Sequence, residues 1–196
     1  MTSAPRPLEG VRVVEFSHMV MGPTCGLILA DLGADVVKVE PAPGGDKTRR
    51  LPGSGSGYFG TYNRNKRSIS VNLKSVEGLK FATHLVRESD VLIENFGVGV
   101  LDRLGLGYDA MQEINPSLVY CALKGFLSGP YEQRAALDEV VQMMGGLAYM
   151  TGPEGCPLRA GASVNDVMGG LFGVIAIQAA LWERQRTGKG TFVRAG

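Results

Sequence analysis

Val11-Arg12-Val13-Val14-Glu15-Phe16, a loop with Gly22-Pro23, a helical pattern from Thr24 to Leu32, Gly33, and then Asp35-Val36-Val37-Lys38-Val39-Glu40 form the stretch on which the fold turns. The two runs around the helical pattern are rich in β-branched residues, as strands are, and Gly33 ends the helix between them. Strand, helix and strand in this order make a βαβ unit. Working outward, Ser68 to Leu73 reads as a strand, Val76 to Arg87 as a helix, and Val91-Leu92-Ile93 as a short buried strand. Ala110 to Ile114 then reads as a short helix, Leu118 to Leu123 as a strand, Val167 to Trp182 as a long apolar helix, and Thr191-Phe192-Val193-Arg194 as a last strand. Such alternation predicts an α/β domain, Rossmann-like, with an open, mainly parallel sheet and flanking helices. Ligands of these sheets bind beyond the carboxyl ends of the strands. The positions to inspect are therefore Ser17-His18-Met19, Pro41 onward, Asn95-Phe96 and Lys124-Gly125-Phe126.

Composition narrows the function classes. The chain has 196 residues, 44% of them hydrophobic and 20% charged, with 28 glycines, which suits one soluble domain with many tight turns or part of a larger one. A formal net charge of +1 gives no electrostatic support to a nucleic-acid partner. Cys25, Cys121 and Cys156 lie far apart in sequence, lack metal-ligand spacing and leave one thiol over in any disulfide scheme. No metal site is expected, and a reducing, cytoplasmic setting fits. Met1 to Pro7 lacks the apolar run of an export signal. Val167 to Trp182 falls short of the roughly 18 apolar residues of a membrane span and contains Gln178, so it reads as a buried helix.

No G-x-G-x-x-G or Walker A pattern follows any strand, so a standard dinucleotide or P-loop site is not supported. Asp166 stands at the mouth of the long apolar helix, where unpaired N–H groups and a partial positive charge favour an ionised carboxylate. That placement suits a nucleophile or a plain helix cap. Pro41 to Gly60, with Lys47, Arg49 and Arg50, reads as a mobile loop, either solvated or functional. Tyr62-Asn63-Arg64-Asn65-Lys66-Arg67 can hold phosphates or sit wet at the sheet end. His18 follows a strand and is a site residue or a hydrogen-bonded loop residue, whereas His84 lies in a helical pattern and reads as surface.

Pro7-Leu8-Glu9-Gly10, Gly22-Pro23, Leu32 to Glu40, Asn65-Lys66-Arg67-Ser68-Ile69 and Asp90 to Phe96 appear together and in order. They are joined by Leu104-Gly105, Ile114-Asn115-Pro116, Lys124-Gly125-Phe126, Asp138 to Gly146 and Thr187-Gly188-Lys189-Gly190. From Pro7 onward the chain thus resembles the class III coenzyme A transferase family, which includes formyl-CoA transferase, a carnitine CoA-transferase and α-methylacyl-CoA racemase. The resemblance implies that Asp166 is the nucleophile, attacking an acyl-CoA thioester and passing CoA to a carboxylic acid through a covalent aspartyl intermediate. It implies CoA or acyl-CoA as substrate. His18 and Met19 would lie near the thioester end, Val71, Asn72, Leu73 and Lys74 beside the adenine or ribose, and Asn95, Phe96 and Arg103 along the nucleotide, with Lys124 also in the CoA site. Arg103 is the natural phosphate ligand of this set. Asn95 as a turn cap and Phe96 as a core residue are the plain alternatives.

Departures from the family pattern bear on these expectations. Pro41 stands where formyl-CoA transferase has an arginine, and Ala135 and Leu137 stand where it has a lysine and a tyrosine. Leu137-Asp138 replaces the histidine–aspartate pair of the racemase branch, which favours transfer over racemisation. Asp138 is left as a secondary polar group or as the acidic start of the helix that follows. Family members are about twice as long, with a small second domain and a C-terminal return segment, and they interlock as dimers. The 196 residues are therefore expected to be the N-terminal part of the CoA-binding large domain, with the glycine-rich active-site loop in the other half. A homodimer or a complementing C-terminal segment is the expected partner. A CoA-binding subunit without turnover is the third reading, beside transferase and racemase.

Overall fold

The structure, a computed structural model, describes residues 6–196. Six strands form one sheet: β1 (Arg12–Phe16), β2 (Asp35–Pro41), β3 (Arg67–Val71), β4 (Val91–Glu94), β5 (Val119–Leu123) and β6 (Thr191–Ala195). Their spatial order is β3-β2-β1-β4-β5-β6, and every adjacent pair is parallel. This is the doubly wound arrangement, in which the order reverses between β1 and β4 and opens a crevice at the carboxyl edge. Register is set in part by Val14, which pairs with Val37 on one side and Leu92 on the other.

Helices cover both faces. They are α1 (Met21–Asp31), α2 (Tyr58–Tyr62), α3 (Val76–Arg87), α4 (Val100–Arg103), α5 (Tyr108–Ile114), α6 (Asp138–Met144), α7 (Leu147–Thr151) and α8 (Val164–Thr187). Successive strand residues point to opposite faces. Val13, Val36, Ile93 and Cys121 therefore pack with Leu29 of α1 and with Val174 and Ile177 of α8. Val14, Val39, Leu92 and Tyr120 pack with Val86 of α3 and Met111 of α5. Burying each such side chain stabilises the domain by about 1.5–3 kcal/mol, before the entropy of ordering the chain is set against it.

Four expectations are corrected. Gly22 and Pro23 lie inside α1, because a first-turn proline forgoes an N–H that has no intrahelical acceptor. Pro41 to Gly60 is not a plain loop: it holds 3-10 turns at Lys47–Arg50 and Gly53–Gly55, the start of α2, and a buried Asp46 and Thr48. The basic run before β3 is spent on structure, with Arg64 on Asp31, Arg67 on Asp35 and Lys66 on the buried Glu15. Finally, α8 has 24 residues, enough by length and composition to cross a membrane, and it is only half buried. One flank packs through Gly169, Gly170, Gly173, Val174 and Ile177, while Leu171, Phe172, Ile175 and Trp182 stay exposed.

The cysteines, far apart in sequence, are partly reunited. Cys25 and Cys121 are buried with both sulfurs under Gly173 and form no disulfide, and the Cys25 thiol pKa is pushed up by its hydrogen bond to Cys121 and by burial. Cys156 is exposed.

Candidate active site

A cavity of about 620 Å³ opens beyond the carboxyl ends of β1, β2, β3 and β4. Its wall is mostly apolar, formed by Met19, Val39, Pro41, Val71, Leu73, Phe96 and Leu104. His18, Asn72 and Lys74 supply polar groups, so seven of the residues expected from sequence (His18, Met19, Val71, Asn72, Leu73, Lys74 and Phe96) meet here. Met19 reaches this position with φ of 61°, a left-handed conformation that turns the chain from β1 into α1.

Asn95 acts behind the wall. Its Oδ1 accepts from the His18 N–H at 3.0 Å and its Nδ2 donates to the His18 carbonyl at 2.9 Å, which pins the turn after β1 to the turn after β4. Phe96 tilts against the His18 ring, centroids 5.6 Å apart. Burial lowers the His18 pKa; Asp46 opposes this, and Lys38 and Lys47 add to it, so the imidazole favours its neutral form.

Two expected ligands are placed elsewhere. Arg103 is exposed on α4 and does not line the cavity. Lys124 pairs with Glu94 and donates to the Phe96 carbonyl at 2.7 Å, in a separate depression of about 150 Å³ with Tyr108, Tyr120 and Arg194.

Beneath the cavity lies a group of charges that no pattern in the sequence announced. The Lys38 ammonium donates to the Ser17 carbonyl at 2.8 Å and sits 3.2 Å from both Glu15 Oε1 and Asp46 Oδ2, with all three charged side chains buried. Lys66 closes the group, 2.8 Å from Glu15 Oε2 and 2.8 Å from the Pro23 carbonyl. Burial alone would raise the Glu15 pKa, but Lys66 and Lys38 bring it below the ordinary value. The sequence signal was the placement of Glu15 and Lys38 inside strands, among Val13, Val14, Phe16, Val36, Val37 and Val39.

Asp166 lies in the first turn of α8, partly buried. Ser163, at the N-cap position, makes no side-chain cap. Asp138 does that work from α6: its buried carboxylate Oδ1 accepts from the Asn165 N–H at 2.8 Å and the Asp166 N–H at 3.1 Å. Gln142 donates to the other oxygen and to the Ala162 carbonyl. The expectation that the helix start favours an ionised Asp166 meets an opposing effect here. Burial, then Asp138 and Glu139, raise its pKa to about 6. At neutral pH the carboxylate form still prevails by about ten to one.

The two parts adjoin through helix packing. Gly169 of α8 meets the side chain of Met21, the first residue of α1, two positions after Met19. Both helices begin at the carboxyl edge of the sheet, since each runs back to feed a parallel strand. A partly buried carboxylate and a mostly apolar cavity thus share one edge of the domain.

Residues 8–196 match CoA-transferase family III. The formyl-CoA:oxalate CoA-transferase of Rhodopseudomonas palustris is 46% identical over 195 residues, covering 97% of this chain and 46% of that protein. The succinate–glutarate CoA-transferase of Agrobacterium fabrum is 42% identical over 208 residues, covering 98% of this chain and 52% of its own length. The crystal structure of a CAIB/BAIF family protein from Brucella suis superposes with a TM-score of 0.90 at 44% identity, over 97% of this chain and 53% of that one. The chain spans about half the length of the curated relatives it matches. Over that half, fold and sequence agree, and the chain belongs to CoA-transferase family III.

Proposed function

We propose that the chain supplies the CoA-binding wall and the nucleophile of an enzyme that moves CoA from an acyl-CoA thioester to a carboxylic acid. The observation that carries this reading is the placement of Asp166, a partly buried carboxylate at a helix start whose second and third N–H groups are already taken by Asp138. Asp166 keeps its oxygens for chemistry rather than for capping its own helix.

The Asp166 carboxylate attacks the thioester carbonyl, giving a mixed anhydride and the CoA thiolate. The thiolate then attacks the aspartyl carbonyl carbon, releasing the donor acid and leaving an aspartyl-CoA thioester. The acceptor carboxylate attacks that thioester in turn, forming a second anhydride and freeing the thiolate again. Attack of the thiolate on the acceptor acyl carbon yields the new acyl-CoA and restores Asp166. Covalent relay divides one difficult exchange into easier ones. Partial removal of Asp166 from water leaves its oxygens less solvated and more nucleophilic than those of a free carboxylate.

The same reading places residues 1–196 in the N-terminal part of a larger CoA-binding domain, acting in a cytoplasmic homodimer or with a complementing segment. The exposed Leu171, Phe172, Ile175 and Trp182 on α8 support a covering partner. Racemisation finds no support, because Asp138, the one acid at the position of the racemase pair, is committed to the start of α8. Intact-mass spectrometry after brief incubation with a panel of acyl-CoAs tests the reading. An adduct of acyl or CoA mass in the parent, absent in Asp166→Ala, is expected; a folded parent without an adduct would count against covalent transfer.

A further inference from the structure

We propose that Lys47 is a further ligand for a phosphate of CoA, joining Lys74 in the wall of the cavity; this rests on the CoA reading above. The nucleotide end of CoA carries a diphosphate and a 3′-phosphate, so a site for it needs more than one cation. Of the three cations assigned to CoA from sequence, only Lys74 lines the cavity. Lys124 is held by Glu94, and Arg103 lies outside the lining. Lys47 is the other cation in that wall, and no ion pair among the described residues includes either Lys47 or Lys74. The two acids in the wall are already matched, Glu40 by Arg49 and Asp46 by Lys38. The surplus charge of the cavity is therefore positive.

A surface lysine on a loose loop would mean little, but Lys47 is held in a built frame. The Asp46 N–H donates to Glu40 Oε2 at 2.7 Å, and Asp46 Oδ1 accepts from the Thr48 N–H at 2.9 Å and its hydroxyl at 2.8 Å. Arg49 forks onto Glu40 through two bonds of 2.7 Å and stacks over Phe59, its guanidinium carbon 3.7 Å from the ring centroid. Arg50 turns back to the Gly44 carbonyl. Both neighbours of Lys47 are thus fixed by buried partners, and of the three cations in Lys47-Thr48-Arg49-Arg50 only Lys47 is left to the cavity. An ammonium whose backbone is already ordered loses less freedom on binding than one on a flexible segment.

Calorimetric titration of the 196-residue chain with CoA, dephospho-CoA and pantetheine tests the assignment in the parent, Lys47→Met, Lys47→Arg and Lys74→Met. Lys47→Met is expected to weaken CoA about tenfold, as loss of a charge-assisted contact does, while pantetheine affinity stays unchanged. Lys47→Arg retains most of the affinity, and Lys47→Met flattens the salt dependence. If the loss vanishes with dephospho-CoA, the partner is the 3′-phosphate; if it persists, the partner is the diphosphate. CoA affinity untouched by Lys47→Met but reduced by Lys74→Met overturns the Lys47 assignment alone, as does an equal loss for pantetheine. A folded parent that takes no CoA overturns the CoA reading and this inference with it.

Discussion

The Asp166 N–H donates to the carboxylate of Asp138 across 3.1 Å, so that one acid closes the helix end on which another stands. The cap comes from a residue 28 positions earlier in the chain. It satisfies the start of α8 without using Asp166, and it adds a negative charge to the surroundings of Asp166.

Charge and capping at Asp138 can be separated by substitution. Asp138→Asn keeps an oxygen for the Asn165 and Asp166 N–H groups but removes the charge that helps burial raise the Asp166 pKa. The pH profile of adduct formation should therefore shift toward lower pH. Asp138→Ala loses the cap as well and should cost about 1 kcal/mol in stability. Rate measurements across pH 4 to 8, with urea unfolding beside them, check both; an unshifted profile in Asp138→Asn would show that the Asp138 charge does not govern Asp166.

A carboxylate held at a raised pKa is a stability cost at neutral pH. The Asp166 pKa is about 6 in the fold against an ordinary 3.8, so the folded state binds the proton more tightly than the unfolded state. Stability is then greatest below the ordinary pKa, falls as pH rises from about 4 to about 6, and stays reduced above that. Asp166→Asn should raise the melting temperature at pH 7.5 by a few degrees and flatten that descent. Thermal melts at several pH values check this, and a less stable Asn variant at pH 7.5 would contradict it.

Lys38 joins the turn after β1 to the segment after β2 through the Ser17 carbonyl and Asp46. Replacing it by Met leaves Glu15 and Asp46 buried with one cation fewer. Breaking a buried pair from one side typically costs roughly 3–5 kcal/mol. Lys38→Met should lower the urea midpoint accordingly and weaken CoA binding, whereas removing the exposed Arg12–Glu88 pair should cost under about 1 kcal/mol. Comparable losses from the two would refute the buried network as a support of the cavity.

Close approach of α1 and α8 depends on Gly170. A Cβ there would stand 2.7 Å from the Met21 carbonyl oxygen, a backbone atom at the start of α1 that cannot swing aside. Gly170→Ala should cost about 1–3 kcal/mol by forcing the helices apart. Gly60→Ala, where nothing lies within 4 Å of the added carbon, serves as the control and should be neutral or slightly stabilising. Equal melting temperatures for the parent and Gly170→Ala would show that α1 tolerates the shift.

Local patterns in the chain determine a good deal by themselves. The β-branched runs at Val13, Val36 and Val91 form strands because they suit a buried parallel sheet, and Val76 to Arg87 forms the expected helix, α3, with Ser75 capping it through the Gly78 N–H. Placing strand ends at one edge then gathers His18, Met19, Pro41 and Phe96 without knowledge of any contact, because parallel strands bring their carboxyl ends together, whereas Val71, Asn72 and Lys74 were expected there only from the family resemblance. What depends on pairing between distant segments carries no local signature. Asp138 over the start of α8, Lys38 between Ser17 and Asp46, Lys124 drawn to Glu94, and Lys47 turned to the cavity while Arg49 and Arg50 turn away were decided only by tertiary structure. A charge or a hydrogen-bonding group is satisfied by whichever partner the folded chain brings within about 3 Å, and sequence spacing does not encode that meeting.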